Sequence, residues 1–286
     1  MKPLVLCILD GCGIREEKDG NAFANAYTPT LDMLFEKYPN SILEASGPSV
    51  GLPEGQMGTS EVGHMNLGSG RVALQPLEAI TSSISDGSIL ENEKILDVLN
   101  HVKQNNSNLH FFGLLSDGGV HSHINHLFGL LDMCKEKNIT NVYIHVFTDG
   151  RDTLPNSSVE FIKQLQDKLN ELGFGKIASI SGRYYAMDRD NNWDRIRKCY
   201  DVIVNGLGKL NEDPIKYINE SYKKDITDEF IKPMLINKEG IINHNDGLIT
   251  FNFRPDRLRE LFKVITNPEF NEFPHKTIKN IKLTTK

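Results

Sequence analysis

The chain has 286 residues, which is enough for one large domain or two modest ones. Its formal net charge of −6 excludes a generally basic nucleic-acid-binding protein, although it leaves room for a local basic pocket. No run approaches the ~18 apolar residues that a membrane-spanning helix needs. We therefore expect a globular protein that binds neither nucleic acid nor membrane.

The N-terminal segment and the cysteines both bear on location. Residues 4–9 form a short apolar run that ends before Asp10 and lacks a small-residue cleavage pattern, so they predict a buried strand rather than a signal peptide. No Cys-x-x-Cys pair occurs among Cys7, Cys12, Cys134 and Cys199. Reduced thiols and a cytoplasmic location follow as expectations.

Apolar runs of strand length alternate with amphipathic helical patterns. The predicted strands are residues 4–9, 109–115, 142–147, 176–180 and 248–251, with a further strand beginning within 278–283. The predicted helices are residues 92–103, 158–172 (with Gly173 as C-cap), 193–204 and 214–222. This alternation predicts an α/β fold, a mostly parallel sheet with helices on both faces. Residues 47–70 are glycine-rich and break the pattern, which predicts a functional loop.

Asp10 and Ser60 are the first candidate site residues. Asp10 ends the first predicted strand, where an acid can hold a metal ion; the alternative is a turn or helix N-cap aspartate. Ser60 follows glycines whose backbone N–H groups can approach a phosphate, and a serine there can receive a phosphoryl group. The alternative is an ordinary serine cap on a glycine-rich turn. The P-loop pattern is absent.

A histidine cluster follows the second predicted strand. His121, His123 and His126 form an H-x-H-x-x-H pattern, which taken alone suggests zinc. However, His121 and His123 share a face only in extended chain, whereas the residues that follow look helical. A phosphate or carboxylate contact, or helix capping, is an equally good interpretation.

Arginines follow three separate predicted strands. Arg151 comes after residues 142–147, Arg183 and Arg189 after 176–180, and Arg254 and Arg257 after 248–251. Guanidinium groups bind phosphate and carboxylate bidentately. A single one of these arginines could be a solvated loop charge, but their recurrence at strand ends predicts a site for a small, multiply charged anion.

Seven segments of the sequence together resemble the cofactor-independent (2,3-bisphosphoglycerate-independent) phosphoglycerate mutases. They occur in order from one end of the chain to the other, and they are long and specific. The matching segments are residues 8–11 (ILDG), 51–64 (GLPEGQMGTSEVGH), 115–123 (LSDGGVHSH), 149–152 (DGRD), 181–185 (SGRYY), 187–190 (MDRD) and 251–257 (FNFRPDR).

The resemblance implies a domain organisation and a set of site residues. A split domain like alkaline phosphatase, here residues 1–74, would hold two manganese ions and the phosphoserine; a transferase domain inserted in it would occupy residues 75–286. Asp10 and Ser60 would bind metal, and Ser60 would be the nucleophile. Asp152 would be a general acid or base. The substrate-binding residues would be His121, Arg151, Asp152, Arg183, Arg189, Arg254 and Arg257.

The implied function is the interconversion of 3- and 2-phosphoglycerate in glycolysis and gluconeogenesis, by a monomer. Family members continue for nearly as long again and supply there most of the metal ligands, so the C-terminal part of the fold is missing from this sequence. Two alternatives stay open. One is an inactive fragment that binds phosphoglycerate, and the other is a different phosphomutase of the alkaline phosphatase superfamily.

Overall fold

A computed structural model describes residues 3–285. The chain divides into two compact units, the first ending at Glu78 and the second beginning at Ala79. The assignment of residues 1–74 to a phosphatase-like domain and of residues 75–286 to a transferase domain stays a prediction. No helix among residues 3–285 combines the length and the hydropathy that crossing a bilayer requires.

The second unit is built around one sheet. Within the described residues it has six strands in the order β4-β3-β2-β1-β5-β6. The strands are Leu109–Leu114 (β1), Val142–Thr148 (β2), Lys176–Gly182 (β3), Met234–Leu235 (β4), Gly247–Thr250 (β5) and Lys282–Thr285 (β6). Strand β4 pairs antiparallel with β3, and every other pairing is parallel. The predicted mostly parallel α/β fold is confirmed.

Helices precede the sheet in the chain and, from residue 93 onward, connect and flank its strands. In chain order they are Ala22–Asn25 (α1), Pro29–Lys37 (α2), Ser60–Ser69 (α3), Pro76–Ser85 (α4), Glu93–Asn105 (α5), Ile124–Glu136 (α6), Ser158–Leu172 (α7), Arg183–Ala186 (α8), Trp193–Ile203 (α9), Pro214–Tyr222 (α10) and Arg259–Thr266 (α11). Short 3₁₀ turns include Gly47–Val50, Asp228–Phe230 and Pro255–Arg257. Gly173 ends α7 with φ of 75°, a left-handed cap that glycine adopts without strain.

Both faces of the sheet are buried under helices. One face packs against the apolar stripes of α5, α6 and α7, and the other against α9 and α11. Alternate residues of β1 point to opposite faces, so that Phe111 joins the first core and Phe112 the second. Strands β1, β2 and β3 lie between these two layers, which explains why nearly all of their residues are buried.

A chain of buried polar side chains crosses the second face from β5 to β3. Asp246 Oδ2 lies 3.1 Å from His110 Nε2, His110 Nδ1 lies 3.1 Å from His145 Nε2, and His145 Nδ1 lies 2.8 Å from Ser179 Oγ. Because a carboxylate only accepts, His110 donates from Nε2, His145 donates to His110, and Ser179 donates to His145. Each hydrogen bond joins neighbouring strands, so this series of hydrogen bonds specifies the register of the strands.

The first unit contains α1, α2, α3 and a small core of Val50, Leu52 and Val62. Residues 3–9 form no strand, and Leu4, Val5 and Leu6 are exposed. The prediction of a buried strand at residues 4–9 was therefore wrong for this structure. The physical reason is that residues 3–78 contain no other strand to pair with it.

Burial makes the second unit sensitive to acid through His145. Desolvation, followed by the neighbouring His110, lowers the pKa of His145 well below its usual 6.5. The unfolded chain then binds a proton below about pH 6.5 that the folded chain does not, so acidification to about pH 5 costs up to about 2 kcal/mol of unfolding free energy through this imidazole. His145→Gln removes this contribution and lowers the pH slope. Denaturant titrations between pH 7 and 5 measure it.

Ser179→Ala is the matched control for His145→Gln, since it removes the hydrogen bond between Ser179 and His145 but keeps the imidazole. We expect Ser179→Ala to retain the pH dependence. Equal pH slopes in the wild type and in His145→Gln would show that the buried imidazole does not titrate as described.

Candidate functional site

The parallel strands bring four loops to one edge of the sheet. The residues that follow β1 include His121, those after β2 include Arg151 and Asp152, those after β3 begin with Arg183, and those after β5 include Arg254. The carboxyl ends of neighbouring parallel strands meet at one edge, which is where open α/β sheets bind ligands.

Arg183 is the buried centre of this edge. Its side chain is 4% exposed, and its Nη1 lies 2.6 Å from Asp149 Oδ1 and 2.7 Å from Asp152 Oδ2. Asp149 also accepts from Ser116 Oγ at 2.6 Å and from the backbone N–H of Asp152 at 3.0 Å. Burial by itself would raise the pKa of Asp149, but these hydrogen bonds and Arg183 outweigh it and lower the pKa. The carboxylate is therefore held ionised.

His121 lies beside this ion pair as a neutral imidazole. Its Nε2 is 3.9 Å from Asp152 Oδ2, and its buried Nδ1 has no hydrogen-bond partner. Burial, and then Arg183, lower the pKa of His121 to about 4, while Asp152 acts in the opposite direction. The ring is therefore neutral at pH 7. A multiply charged anion beside Nδ1 would raise the pKa of His121, and the protonated Nδ1 would then donate a hydrogen bond to the anion.

Asp256 gathers three further arginines. Its Oδ2 accepts a hydrogen bond from Arg189 Nη1 at 3.1 Å, its Oδ1 lies 3.1 Å from Arg254 Nε, and its Oδ2 lies 3.9 Å from Arg257 Nε. The Arg189 and Arg254 side chains are about half exposed, whereas that of Arg257 is 15% exposed. Burial, then Arg189 and Arg183, lower the pKa of Arg257. These four groups are referred to below as the Asp256 cluster.

The turn Asp228–Phe230 packs against the carboxyl ends of β2 and β3. Glu229 Oε1 lies 3.2 Å from Arg151 Nε, and Thr148 Oγ1 donates to Asp228 O at 2.7 Å. A Cβ at Gly182 would meet Glu229 O at 2.3 Å, so the turn approaches β3 as closely as glycine allows. A cavity of about 290 Å³ results, lined by residues that include Arg151, Arg183, Arg195, Glu229 and Arg257.

Asp10 and Ser60 meet in the first unit. Ser60 Oγ donates to Asp10 Oδ2 at 2.7 Å, and His64 Nδ1 lies 3.3 Å from the same hydroxyl. Thr59, rather than Ser60, is the N-cap of α3, so the interpretation of Ser60 as a serine cap was wrong. Asp10 lies in a turn and its carboxylate binds the Ser60 hydroxyl, so it is not a helix N-cap.

The histidines of the H-x-H-x-x-H pattern separate. His123 is the N-cap of α6 and accepts from Asn125 N at 3.2 Å, which confirms the capping interpretation for that residue. His126 Nε2 lies 3.0 Å from Thr81 Oγ1. Within residues 3–285 no group of three or more His, Cys, Asp or Glu side chains is arranged to hold a metal ion. This arrangement gives zinc no set of protein ligands.

The same finding bears on the two manganese ions expected with Asp10 and Ser60. The pair supplies one carboxylate and one hydroxyl, whereas hard divalent cations take about six oxygen ligands. The side chains of the described residues therefore fit part of one coordination sphere and do not fit two complete metal sites.

Comparisons with known proteins identify the family of the chain. The model of the family "BPG-independent PGAM N-terminus" matches residues 80–285. The chain belongs to this family. Its expected membership of the 2,3-bisphosphoglycerate-independent phosphoglycerate mutases is thereby confirmed.

Two curated relatives and one solved structure extend the match. The 2,3-bisphosphoglycerate-independent phosphoglycerate mutase of Clostridium novyi (strain NT) is 49% identical over 99% of this chain and 56% of that protein. That of Clostridium botulinum (strain ATCC 19397 / Type A) is 51% identical over 97% and 55%. Leishmania mexicana phosphoglycerate mutase, crystallised at low cobalt concentration, gives a TM-score of 0.76 at 30% identity over 92% of this chain and 50% of that one. The chain thus spans about half the length of its curated relatives.

Three acidic residues of the site were missed by sequence reasoning. Asp149 directly follows β2, as Asp10 follows the first predicted strand, so the same argument could have found it. Asp256 stands between two of the candidate arginines and could have been suspected as their counter-ion. Glu229 follows no long strand and reaches Arg151 only through the tertiary fold, so nothing in the sequence indicates it.

We expect the loss of the buried Arg183 and the loss of the half-exposed Arg189 to affect stability differently. Arg183→Met leaves Asp149, which is 1% exposed, as a buried carboxylate without its cation, at a cost of about 3–5 kcal/mol in unfolding free energy. Arg189→Met removes a half-exposed pair and costs below about 1 kcal/mol. Guanidinium-chloride denaturation of both variants measures the contrast. Similar losses in the two variants would refute the structural role assigned to Arg183.

Proposed function

We propose that the second unit holds phosphoglycerate at the edge described above, as the substrate-binding part of a mutase that interconverts 3- and 2-phosphoglycerate. The observation that supports this most is the convergence of five arginines with His121 at one edge of the sheet, where the buried donor Arg257 Nε and the buried imidazole nitrogen His121 Nδ1 have no hydrogen-bond partners. Unpartnered buried donors are costly, and an anion with several oxygens satisfies them.

The arginines would divide the ligand between them. Phosphoglycerate carries a phosphate and a carboxylate, each of which guanidinium groups bind through paired hydrogen bonds. The half-exposed Arg151, Arg189 and Arg254 have side chains free to turn toward a ligand, whereas Arg183 is held by two carboxylates. We therefore assign direct anion binding chiefly to the exposed arginines and to Arg257, with Arg183 as a fixed positive charge.

Asp152 is the proposed general acid or base for the glycerate hydroxyls. It is the less buried of the two carboxylates on Arg183, and it is the one that lies beside His121. An ionised carboxylate at hydrogen-bond distance from a substrate hydroxyl can take and return its proton as the phosphoryl group moves between positions.

Ser60 is the proposed nucleophile of the first unit. It is the first residue of α3, where backbone N–H groups and the helix dipole stabilise an added phosphate. Its Oγ would form the bond to phosphorus as the bond from phosphorus to the 3-oxygen breaks, and the phosphoryl group would then return to the 2-oxygen. The hydroxyl already donates its proton toward Asp10.

We further propose that Asp10 and Ser60 contribute two ligands to a divalent metal site, with Mn²⁺ as the expected ion. Support comes from their 2.7 Å contact and from the cobalt present in the crystals of the Leishmania mexicana relative. Such an ion would supply positive charge that would lower the pKa of the serine hydroxyl. The expectations of a monomer and of a cytoplasmic location stay predictions.

A second function, binding without turnover, is favoured for these 286 residues alone. The observation behind it is that no group of three or more His, Cys, Asp or Glu among the described residues could hold a metal ion, so Asp10 and Ser60 supply only part of a metal site. Substrate binding by the second unit does not depend on those oxygens, so binding and catalysis separate experimentally.

Titration calorimetry with 3-phosphoglycerate tests the proposed binding. Arg254→Met, which removes a half-exposed guanidinium, is expected to weaken binding by about 10- to 100-fold, as the loss of one charge-assisted contact does. The control is Arg197→Met on α9, an equally exposed arginine paired with Asp201 outside the site. Absence of binding by the wild type, or equal affinities of the two variants, would refute the assignment.

The same preparation, supplied with Mn²⁺, distinguishes the two functions. Binding without formation of 2-phosphoglycerate supports the binding fragment, whereas turnover by the isolated chain would reject it.

A further inference from the structure

The Asp256 cluster differs in its bonding from the ion pairs of Arg183. Arg183 Nη1 lies within 2.7 Å of both of its carboxylates, and all three side chains are buried or nearly so. In the Asp256 cluster only the contact with Arg189 is a hydrogen bond. Asp256 Oδ1 and Arg257 Nε are both buried without a hydrogen-bond partner. Arg183 is thus held by short hydrogen bonds to both of its carboxylates, whereas Asp256 holds its three arginines with longer contacts and one hydrogen bond.

Asp256 nevertheless bears a full negative charge among them. Burial by itself would raise the pKa of Asp256, but Arg254 and the hydrogen bond from Arg189 outweigh it and lower that pKa. The carboxylate is 30% exposed, so it lies at the surface of the site rather than beneath it. It occupies the position, between several guanidinium groups, in which an anionic ligand would be expected to bind.

Without Asp256, three guanidinium groups would face one another across a partly dehydrated pocket. Burial, and then Arg189 and Arg183, lower the pKa of Arg257, as expected where guanidinium groups repel one another. An internal counter-ion keeps such a site folded when no ligand is bound. A bound anion has to compete with that counter-ion for the same donors.

We infer that Asp256 is a resident counter-ion that competes with the ligand for Arg189, Arg254 and Arg257, and so sets the affinity and the charge selectivity of the site. A monovalent anion gains too little to displace a carboxylate already in place. A phosphate dianion offers three oxygens and twice the charge, and it can contact several guanidinium groups at once. This inference rests on the proposed binding of phosphoglycerate and assigns a role to a residue outside that proposal.

Asp256→Asn tests the inference because it keeps the shape of the side chain and removes its charge. We expect the variant to bind 3-phosphoglycerate and inorganic phosphate at least about tenfold more tightly than the wild type, because one unit charge ~6 Å away at an effective dielectric constant of about 40 acts by about that factor on each negative charge of the ligand. Binding of acetate, a monovalent carboxylate, is expected to become measurable. Calorimetry at fixed ionic strength gives all three affinities.

Two variants serve as controls. Asp132→Asn removes the same charge from the surface pair with Lys168 and should leave all affinities unchanged. Asp256→Glu keeps the charge and should retain the wild-type selectivity. If Asp256→Asn does not fold, Asp256→Ser, which has a smaller side chain, repeats the test; the melting temperature of the charge-removed variant should rise more on addition of phosphate than that of the wild type.

The outcomes separate the inference from the proposed function. Tighter binding by the charge-removed variant supports the inference, because a merely structural aspartate would not give a gain on removal. Unchanged or weaker binding overturns it while leaving the proposed function in place. If neither the wild type nor Asp132→Asn binds 3-phosphoglycerate, the proposed function fails, and this inference fails with it.

Discussion

The buried ion pairs between Arg183 and the carboxylates of Asp149 and Asp152 are the interaction on which the site depends. They join the end of β3 to the loop after β2, and Ser116 joins Asp149 to the loop after β1. A buried charge is tolerated only when it is paired and hydrogen-bonded. The folded sheet therefore keeps these contacts, and they hold the three loops together. The other arginines are arranged around this fixed point, with carboxylates that hold them less firmly.

The sequence predicted the site through the regularity of the sheet. Three strands each followed by arginine imply convergence, because parallel strands end at one edge, and Arg151, Arg183 and Arg254 do follow β2, β3 and β5 there. Sequence periodicity could not show which arginines are buried, since that depends on Asp149 and on the turn containing Glu229. The two-residue β4 was also missed, because so short a strand has no detectable period. Residues 4–9 have the composition of a strand, but a strand needs a partner, and residues 3–78 offer none.

The two units differ in how complete their chemistry is. The second unit has a double-sided core, strand register specified by the hydrogen bonds from Asp246 to Ser179, and a proposed anion site whose arginines all have counter-ions within the unit. The first unit has a helix N-terminus, a serine hydroxyl and one carboxylate in contact, but the described residues give a metal ion too few ligands. The proposed binding of the substrate and the proposed transfer of its phosphoryl group therefore involve residues of separate units.

The most direct test is a crystal structure of the chain grown with 3-phosphoglycerate. We predict that the ligand lies at the carboxyl edge of the sheet, with its anionic oxygens within hydrogen-bond distance of Arg189, Arg254 and Arg257, and with Arg183 still paired to Asp149. A ligand bound elsewhere on the second unit, with the Asp256 cluster unchanged and His121 Nδ1 still unpartnered, would contradict the proposed site.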